Sequence, residues 1–181
     1  MNYKSDDFYI ELLKFEDALH LNKLFVSNTE RFKLYLPKTL SENRTLESTK
    51  SYINKRIEAI QNKIEYTFTI KDKSTKNIAG LIILKAIDWD IKKGEFAYCI
   101  GKTFEGKGFM SKAIQATSTF AFQELNLKKL QIISHESNTA SIKVAENSNF
   151  VWQKTLNRLQ PFGFCNYFRC TTQEQMELFN Y

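Results

Sequence analysis

One octapeptide constrains this chain more than any other stretch: Phe104-Glu105-Gly106-Lys107-Gly108-Phe109-Met110-Ser111. It sets two glycines between a run that reads as a strand, Glu95 to Ile100, and a long amphipathic helix from Gly108 to about Leu125. Only six glycines occur in the 181 residues, and Gly94, Gly101, Gly106 and Gly108 share this short span. Backbone freedom is thus concentrated where a ligand would approach the main chain. The first turn of the helix offers N–H groups without intrahelical acceptors and the positive end of the helix dipole, a combination that suits a phosphate or diphosphate. A tight turn would use the same residues, so the motif alone leaves ligand and turn open. It is not a P-loop, because Gly106-Lys107 leads to Gly108 rather than to Ser or Thr. It is also a poor dinucleotide fingerprint, because the third glycine is missing, with Met110 in its neighbourhood.

Composition narrows the partners. With 43% hydrophobic and 14% aromatic residues the chain has material for a real core, and its length predicts one domain over 1–181. The formal net charge of +6 favours an anionic partner without choosing one. The lysines (Lys71, Lys73, Lys76; Lys92, Lys93; Lys128, Lys129) are dispersed among apparent turns, so no direct nucleic-acid partner is expected. Cys99, Cys165 and Cys170 form no Cys-x-x-Cys, and His20 and His135 lie far apart, so neither a disulfide framework nor a metal site is expected. No apolar run reaches the roughly 20 residues that span a bilayer. The start, Met1-Asn2-Tyr3-Lys4-Ser5-Asp6-Asp7, lacks the apolar core of a signal peptide, which predicts a cytoplasmic protein with no membrane partner.

Strands and helices alternate without repeat or linker, which reads as one α/β or α+β unit. Phe8 to Leu13 is a candidate strand, Phe15 to Val26 a helix, Phe32 to Leu36 a short aromatic segment closed by Pro37, and Thr45 to Gln61 a second helix. Tyr66, Phe68 and Ile70 alternate with Glu65, Thr67 and Thr69, the pattern of a half-buried strand. Ile78 to Ile87 and Glu95 to Ile100 complete an antiparallel meander. After the glycine loop and its helix, Lys129 to Ser134 reads as a strand parallel to the meander's last one. Asn138 is the expected N-cap of a helix ending near Asn147, and a strand pair from Phe150 onward is broken at Pro161-Phe162-Gly163.

This pattern resembles the GCN5-related N-acetyltransferase (GNAT) superfamily, in its ribosomal-protein (RimJ/RimL-like) branch. The family's cofactor motif is Gln/Arg-x-x-Gly-x-Gly/Ala. Glu105-Gly106-Lys107-Gly108-Phe109-Met110 stands in that register, with Gly108 the one identical match. The branch's wider pattern follows: Gly-Lys-Gly, an apolar helix ending in Phe122-Gln123-Glu124-Leu125, a strand, Asn138-Thr139-Ala140-Ser141, and the aromatic Phe150. The resemblance implies a GNAT fold: a mixed, mostly antiparallel sheet of about seven strands, splayed between two parallel ones and flanked by about four helices. It also implies acetyl-CoA as co-substrate in that split. The pyrophosphate would lie on the N–H groups of Gly106 to Ser111 (Gly106, Lys107, Gly108, Phe109, Met110, Ser111), and the pantetheine along the backbone of Tyr98, Cys99 and Ile100. Glu105 is expected to turn outward and Met110 to pack inward.

For chemistry, the resemblance implies transfer to a primary amine by direct attack. Many members carry a tyrosine general acid where this chain has Ala145. The resemblance to the RimL-like branch implies the serine of Asn-x-x-Ser instead, so Ser141 is the candidate donor to the leaving sulfur, with Asn138 combining capping and cofactor contact. Glu95 is the candidate base, directly or through water, and His135 a weaker one. The acceptor is expected against Phe32, Tyr35, Glu95 and Phe162. It is a protein N-terminus, as in ribosomal-protein acetyltransferases, or a small amine, on a monomer or homodimer. A non-catalytic acyl-CoA-binding module on the same fold is the alternative.

Overall fold

The computed structural model describes residues 2–158 and 163–172. Eight strands hydrogen-bond in one sheet in the order β1-β2-β3-β4-β5-β6-β8-β7. They are β1 Asn2–Lys4, β2 Phe8–Leu12, β3 Tyr66–Asp72, β4 Ile78–Asp88, β5 Lys93–Ile100, β6 Lys129–His135, β7 Val151–Arg158 and β8 Gly163–Thr171. Among the described residues six α-helices accompany them: α1 Ala18–Ser27, α2 Thr29–Tyr35, α3 Pro37–Ser41, α4 Leu46–Gln61, α5 Phe109–Gln123 and α6 Thr139–Asn147. The chain forms two compact units. The first comprises the residues up to Ile83 together with Tyr98–Phe109; the second comprises Leu84–Ala97 and the chain from Met110 onward.

In the first unit, local chemistry sets the helix boundaries. Lys14 N–H donates to Asp17 Oδ2 at 3.0 Å and starts a 3₁₀ turn, Phe15–Asp17, that leads into α1. Thr45 caps α4 by accepting from Ser48 N–H at 3.1 Å, while Ser48 Oγ accepts the Thr45 N–H in return. The expected aromatic segment, Phe32 to Leu36, forms the end of α2, and a second short helix, α3, follows it. Pro37 has no N–H to donate to the carbonyl four residues back, so α2 ends with Leu36 as its C-cap, and the same proline occupies the first turn of α3. These two short helices and the edge strand β1, paired to β2, come in addition to the about seven strands and about four helices that the resemblance implied. The core joins Leu21, Leu24 and Phe25 of α1 to Phe32, Leu40, Tyr52 and Ile53, and to Ile78, Leu81 and Cys99 of the sheet. Each large apolar side chain buried this way stabilises by about 1.5–3 kcal/mol.

β3 corrects the half-buried expectation, since Thr67 and Thr69 are as buried as Phe68 and Ile70. The polar face of β3 is covered and its charge answered: Lys71 Nζ lies 2.5 Å from both Glu11 Oε1 and Asp17 Oδ1. Burial alone would push the Lys71 ammonium down, but its two carboxylate partners hold it above the ordinary lysine range. Burial would likewise raise Glu11, and Lys14 and Lys71 reverse that, leaving it below its ordinary value.

In the second unit, the parallel ladder of β5 and β6 joins Lys93–Phe96 to Lys129–Ile132 and stops there, while β5 runs on to Ile100 and β6 to His135. β8 pairs antiparallel with β6 and β7, so the last strand in sequence lies inside the sheet's end and β7 forms the edge. Gly94 is required by space, because a Cβ there would come within 2.8 Å of Leu84 Cδ1 and 3.2 Å of Leu127 Cδ1. Phe96 packs edge-on against Phe150 at 6.3 Å between ring centroids.

Candidate functional site

The loop after β5 turns on two glycines. Gly106 and Gly108 hold φ of +75° and +74°, the left-handed region that side chains avoid, and both face open space. Successive residues of this kind turn backbone N–H groups into a concavity that accepts an oxyanion, and the first turn of α5 continues that surface. The four residues Glu105 to Gly108 are exposed, whereas Phe109 and Met110 are buried. Phe109 packs on Phe8 at 4.8 Å and on Phe104 at 6.0 Å, so the end of the loop closes onto aromatic rings while Glu105 to Gly108 stay exposed. Lys107 holds its ammonium 5.5 Å from the Phe104 ring.

The base of the loop is pinned by residues that sequence spacing did not reveal. Gly80 lies so near β5 that a Cβ would fall 2.4 Å from the Cys99 carbonyl oxygen. Gly101 N–H donates to Ala79 O at 2.8 Å. Asn28, buried between α1 and α2, accepts the Lys102 N–H at 2.9 Å and donates to Leu24 O at 2.8 Å. Arg31 of α2 reaches Glu105 Oε1 with Nη2 at 2.5 Å and Ile100 O with Nη1 at 3.5 Å. Glu105 therefore points to a guanidinium. Asn28 and Arg31 are 74 positions away from their loop partners, so no local pattern exposes either contact.

Cys99 is buried, and that burial pushes its thiol up to about 12; a Leu81 N–H and the Arg31 charge offset only part of it. At neutral pH it is a thiol, which is a poor nucleophile.

In the second unit, Glu95 is held rather than loosely solvated. Its Oε1 pairs with Lys85 Nζ at 3.0 Å, its Oε2 accepts from Gln131 Nε2 at 2.8 Å, and the side chain is 14% exposed. Glu95 and Gln131 are direct partners in the parallel ladder, which explains their meeting. At the end of β6, His135 Nδ1 accepts the Ser137 N–H at 3.1 Å. Asn138 caps α6 as expected, its Oδ1 accepting the Ser141 N–H at 3.1 Å, which sets Ser141 in the first turn. Ala145 is fully buried, so that position holds core and no proton donor.

Of the acceptor candidates, Phe32 is 5% exposed, its ring edge-on to Phe25 at 5.4 Å inside the core, whereas Tyr35 is 41% exposed. Phe162 lies outside the described residues. Among the described residues no cluster of His, Cys, Asp and Glu has metal-binding geometry, and no helix is long and apolar enough to cross a membrane.

With this geometry in hand, comparison with known proteins is informative. Residues 8–151 match the family model "Acetyltransferase (GNAT) domain". The "Putative ribosomal N-acetyltransferase YdaF" of Bacillus subtilis (strain 168) is 33% identical over 144 residues, covering 78% of this chain and 76% of that one. Among solved structures, ribosomal-protein-S5-alanine acetyltransferase from Vibrio fischeri superposes with a TM-score of 0.88 at 20% identity, covering 94% of this chain and 96% of that one. A ribosomal L7/L12 α-N-protein acetyltransferase in complex with coenzyme A superposes at 0.87 with 18% identity, covering 94% and 98%. At these identities the structural matches speak to the fold.

Proposed function

The chain belongs to the GNAT acetyltransferase family, and from that premise we propose that it transfers the acetyl group of acetyl-CoA to a protein N-terminal amine by direct attack on the thioester. The observation that carries cofactor use is the pair of positive-φ glycines, Gly106 and Gly108, opening α5 directly after β5. The diphosphate would rest on the main chain of Gly106 to Ser111, and the amide-bearing pantetheine on that of Tyr98 to Ile100. The donor supplies an activated acyl carbon; the chain's own residues do the rest.

Direct attack is favoured over an acyl-cysteine route because Cys99, the cysteine on β5, is buried and protonated. Ser141, fixed in the first turn of α6 by the Asn138 cap, is the proposed proton donor to the leaving sulfur. Glu95 is the proposed acceptor of the amine proton, through water. Gln131 and Lys85 orient its carboxylate and leave lone pairs on both oxygens. Tyr35, exposed on α2, is the aromatic that would meet the acceptor, and Phe32 supports it from the core. An N-terminal amine is preferred over a small amine because the 33% identical relative carries the name of a ribosomal N-acetyltransferase.

The test is a titration of the full chain with acetyl-CoA followed by thiol release against peptides with free N-termini and a panel of small amines. One-to-one binding with turnover of free-N-terminus peptides, abolished by N-terminal blocking, is the expected result. Turnover confined to small amines would overturn the acceptor, and absence of acetyl-CoA binding would overturn the reading as a whole.

A further inference from the structure

We propose that Arg31 supplies, from α2, the cation that this chain's cofactor loop lacks. The inference rests on the acetyl-CoA reading above. In the Gln/Arg-x-x-Gly-x-Gly/Ala pattern the first position is neutral or cationic, and here it is Glu105. A carboxylate at the rim of a diphosphate cradle opposes the ligand by charge alone. Its Oε1 lies 2.5 Å from Arg31 Nη2, so the offending charge is matched where it arises.

Arg31 is also held for this task. Its Nη1 points to the carbonyl of Ile100, the last residue of β5, at 3.5 Å. Three residues earlier, buried Asn28 accepts the Lys102 N–H and donates to Leu24 O, which fastens the junction of α1 and α2 to the start of the same loop. The guanidinium therefore bridges the end of the strand and the first residue of the motif. It carries five N–H donors, more than one carboxylate oxygen and one carbonyl engage, so it can turn a face to a phosphate oxygen while keeping Glu105. The remaining charges on the loop, Lys102 and Lys107, are both positive. With Glu105 neutralised the loop is cationic; without Arg31 the carboxylate faces the ligand directly.

Calorimetric titration with coenzyme A, at low and at high salt, tests this on wild type, Arg31→Gln, Glu105→Gln and the double variant, with inorganic pyrophosphate as competitor. Arg31→Gln should weaken coenzyme A about tenfold at low salt, less at high salt, because an exposed charge effect is screened. Glu105→Gln should bind coenzyme A more tightly than wild type. Adding it to Arg31→Gln should recover most of the loss, which a merely structural role for Arg31 would not allow. Arg31→Lys, which keeps the charge, should fall between wild type and Arg31→Gln, and thermal melts confirm that each variant is folded. Pyrophosphate should compete less well in Arg31→Gln than in wild type. Unchanged affinity in Arg31→Gln, or a double variant as weak as Arg31→Gln, overturns the inference while leaving the acetyl-CoA reading intact. Failure of wild type to bind coenzyme A would take both down.

Discussion

The Lys71 cluster and the Arg31–Glu105 pair lie in the same compact unit and use the same kinds of charged group, but they differ in what surrounds them. Lys71, Glu11 and Asp17 have side chains 10%, 19% and 7% exposed, and they join β2, β3 and the turn before α1. Arg31 and Glu105 are 35% and 43% exposed, and they join a helix to the glycine loop. Burial makes the first an obligatory part of the fold, since any one member left alone is a charge without water. Exposure makes the second nearly neutral for stability while leaving its charge available to a ligand. The contrast gives the first cluster the work of holding the sheet, and the proposal above gives the second a part in cofactor binding.

The sharpest way to break that contrast is Lys71→Ala. Asp17 would be left in a covered site without its cation and Glu11 with Lys14 alone, and the expected loss is about 3–5 kcal/mol in denaturant unfolding. A loss comparable to that of an exposed lysine would contradict the assignment. The pH dependence has two signs. Glu11 is depressed, so its contribution is present above the ordinary carboxylate range and lost as pH falls through its lowered value. Lys71 is raised, so its contribution is present below the ordinary lysine range and lost only as pH climbs through its raised value. Stability from this cluster should therefore be flat between roughly pH 5 and pH 10 and fall outside those limits, and Lys71→Ala should abolish the alkaline limb.

The glycines sharpen the same division between fold and site. Gly80→Ala drives a methyl toward the Cys99 carbonyl, where backbone has to move, and should cost about 1–3 kcal/mol. Gly108→Ala meets no neighbour but must hold φ near +74°, a strain of about 1–2 kcal/mol. Melting curves should rank Gly80→Ala at or below Gly108→Ala in stability, while coenzyme A titration should find the larger deficit in Gly108→Ala.

What the sequence disclosed follows from range. Gly106 and Gly108, the helix after them, the helix that starts near Thr45, the Asn138 cap and the parallel pairing of β5 with β6 are written in contiguous residues, and each formed as expected. α2 and α3 escaped because seven and five residues are too few for helical periodicity to stand out. The burial of both faces of β3 escaped because its threonines read as solvent-facing, and because the two carboxylates that answer its Lys71 come from elsewhere in the chain. Around the loop, the concave main chain was legible, and its supports were not. Gly80 owes its identity to a strand about 20 positions on, and Arg31 to a residue 74 away. The same limit applies to Phe32: an aromatic near a site and an aromatic in the core carry one signature.

The smallest expected effect is also the most discriminating. Arg31→Gln removes an ion pair, a 3.5 Å contact with the Ile100 carbonyl, and a charge beside Cys99. Because both partners are more than a third exposed, water replaces most of what is lost, and the change in unfolding free energy should be within about 1 kcal/mol. Asn28 remains to hold the start of the loop through Lys102 N–H, so the fold has no reason to open there. A drop as large as that of Lys71→Ala would mean that the pair is structural, and the distinction between the two clusters would fail. A small drop accompanied by a clear loss of coenzyme A affinity would place Arg31 on the functional side of it, where stability and binding are governed by different residues of one unit.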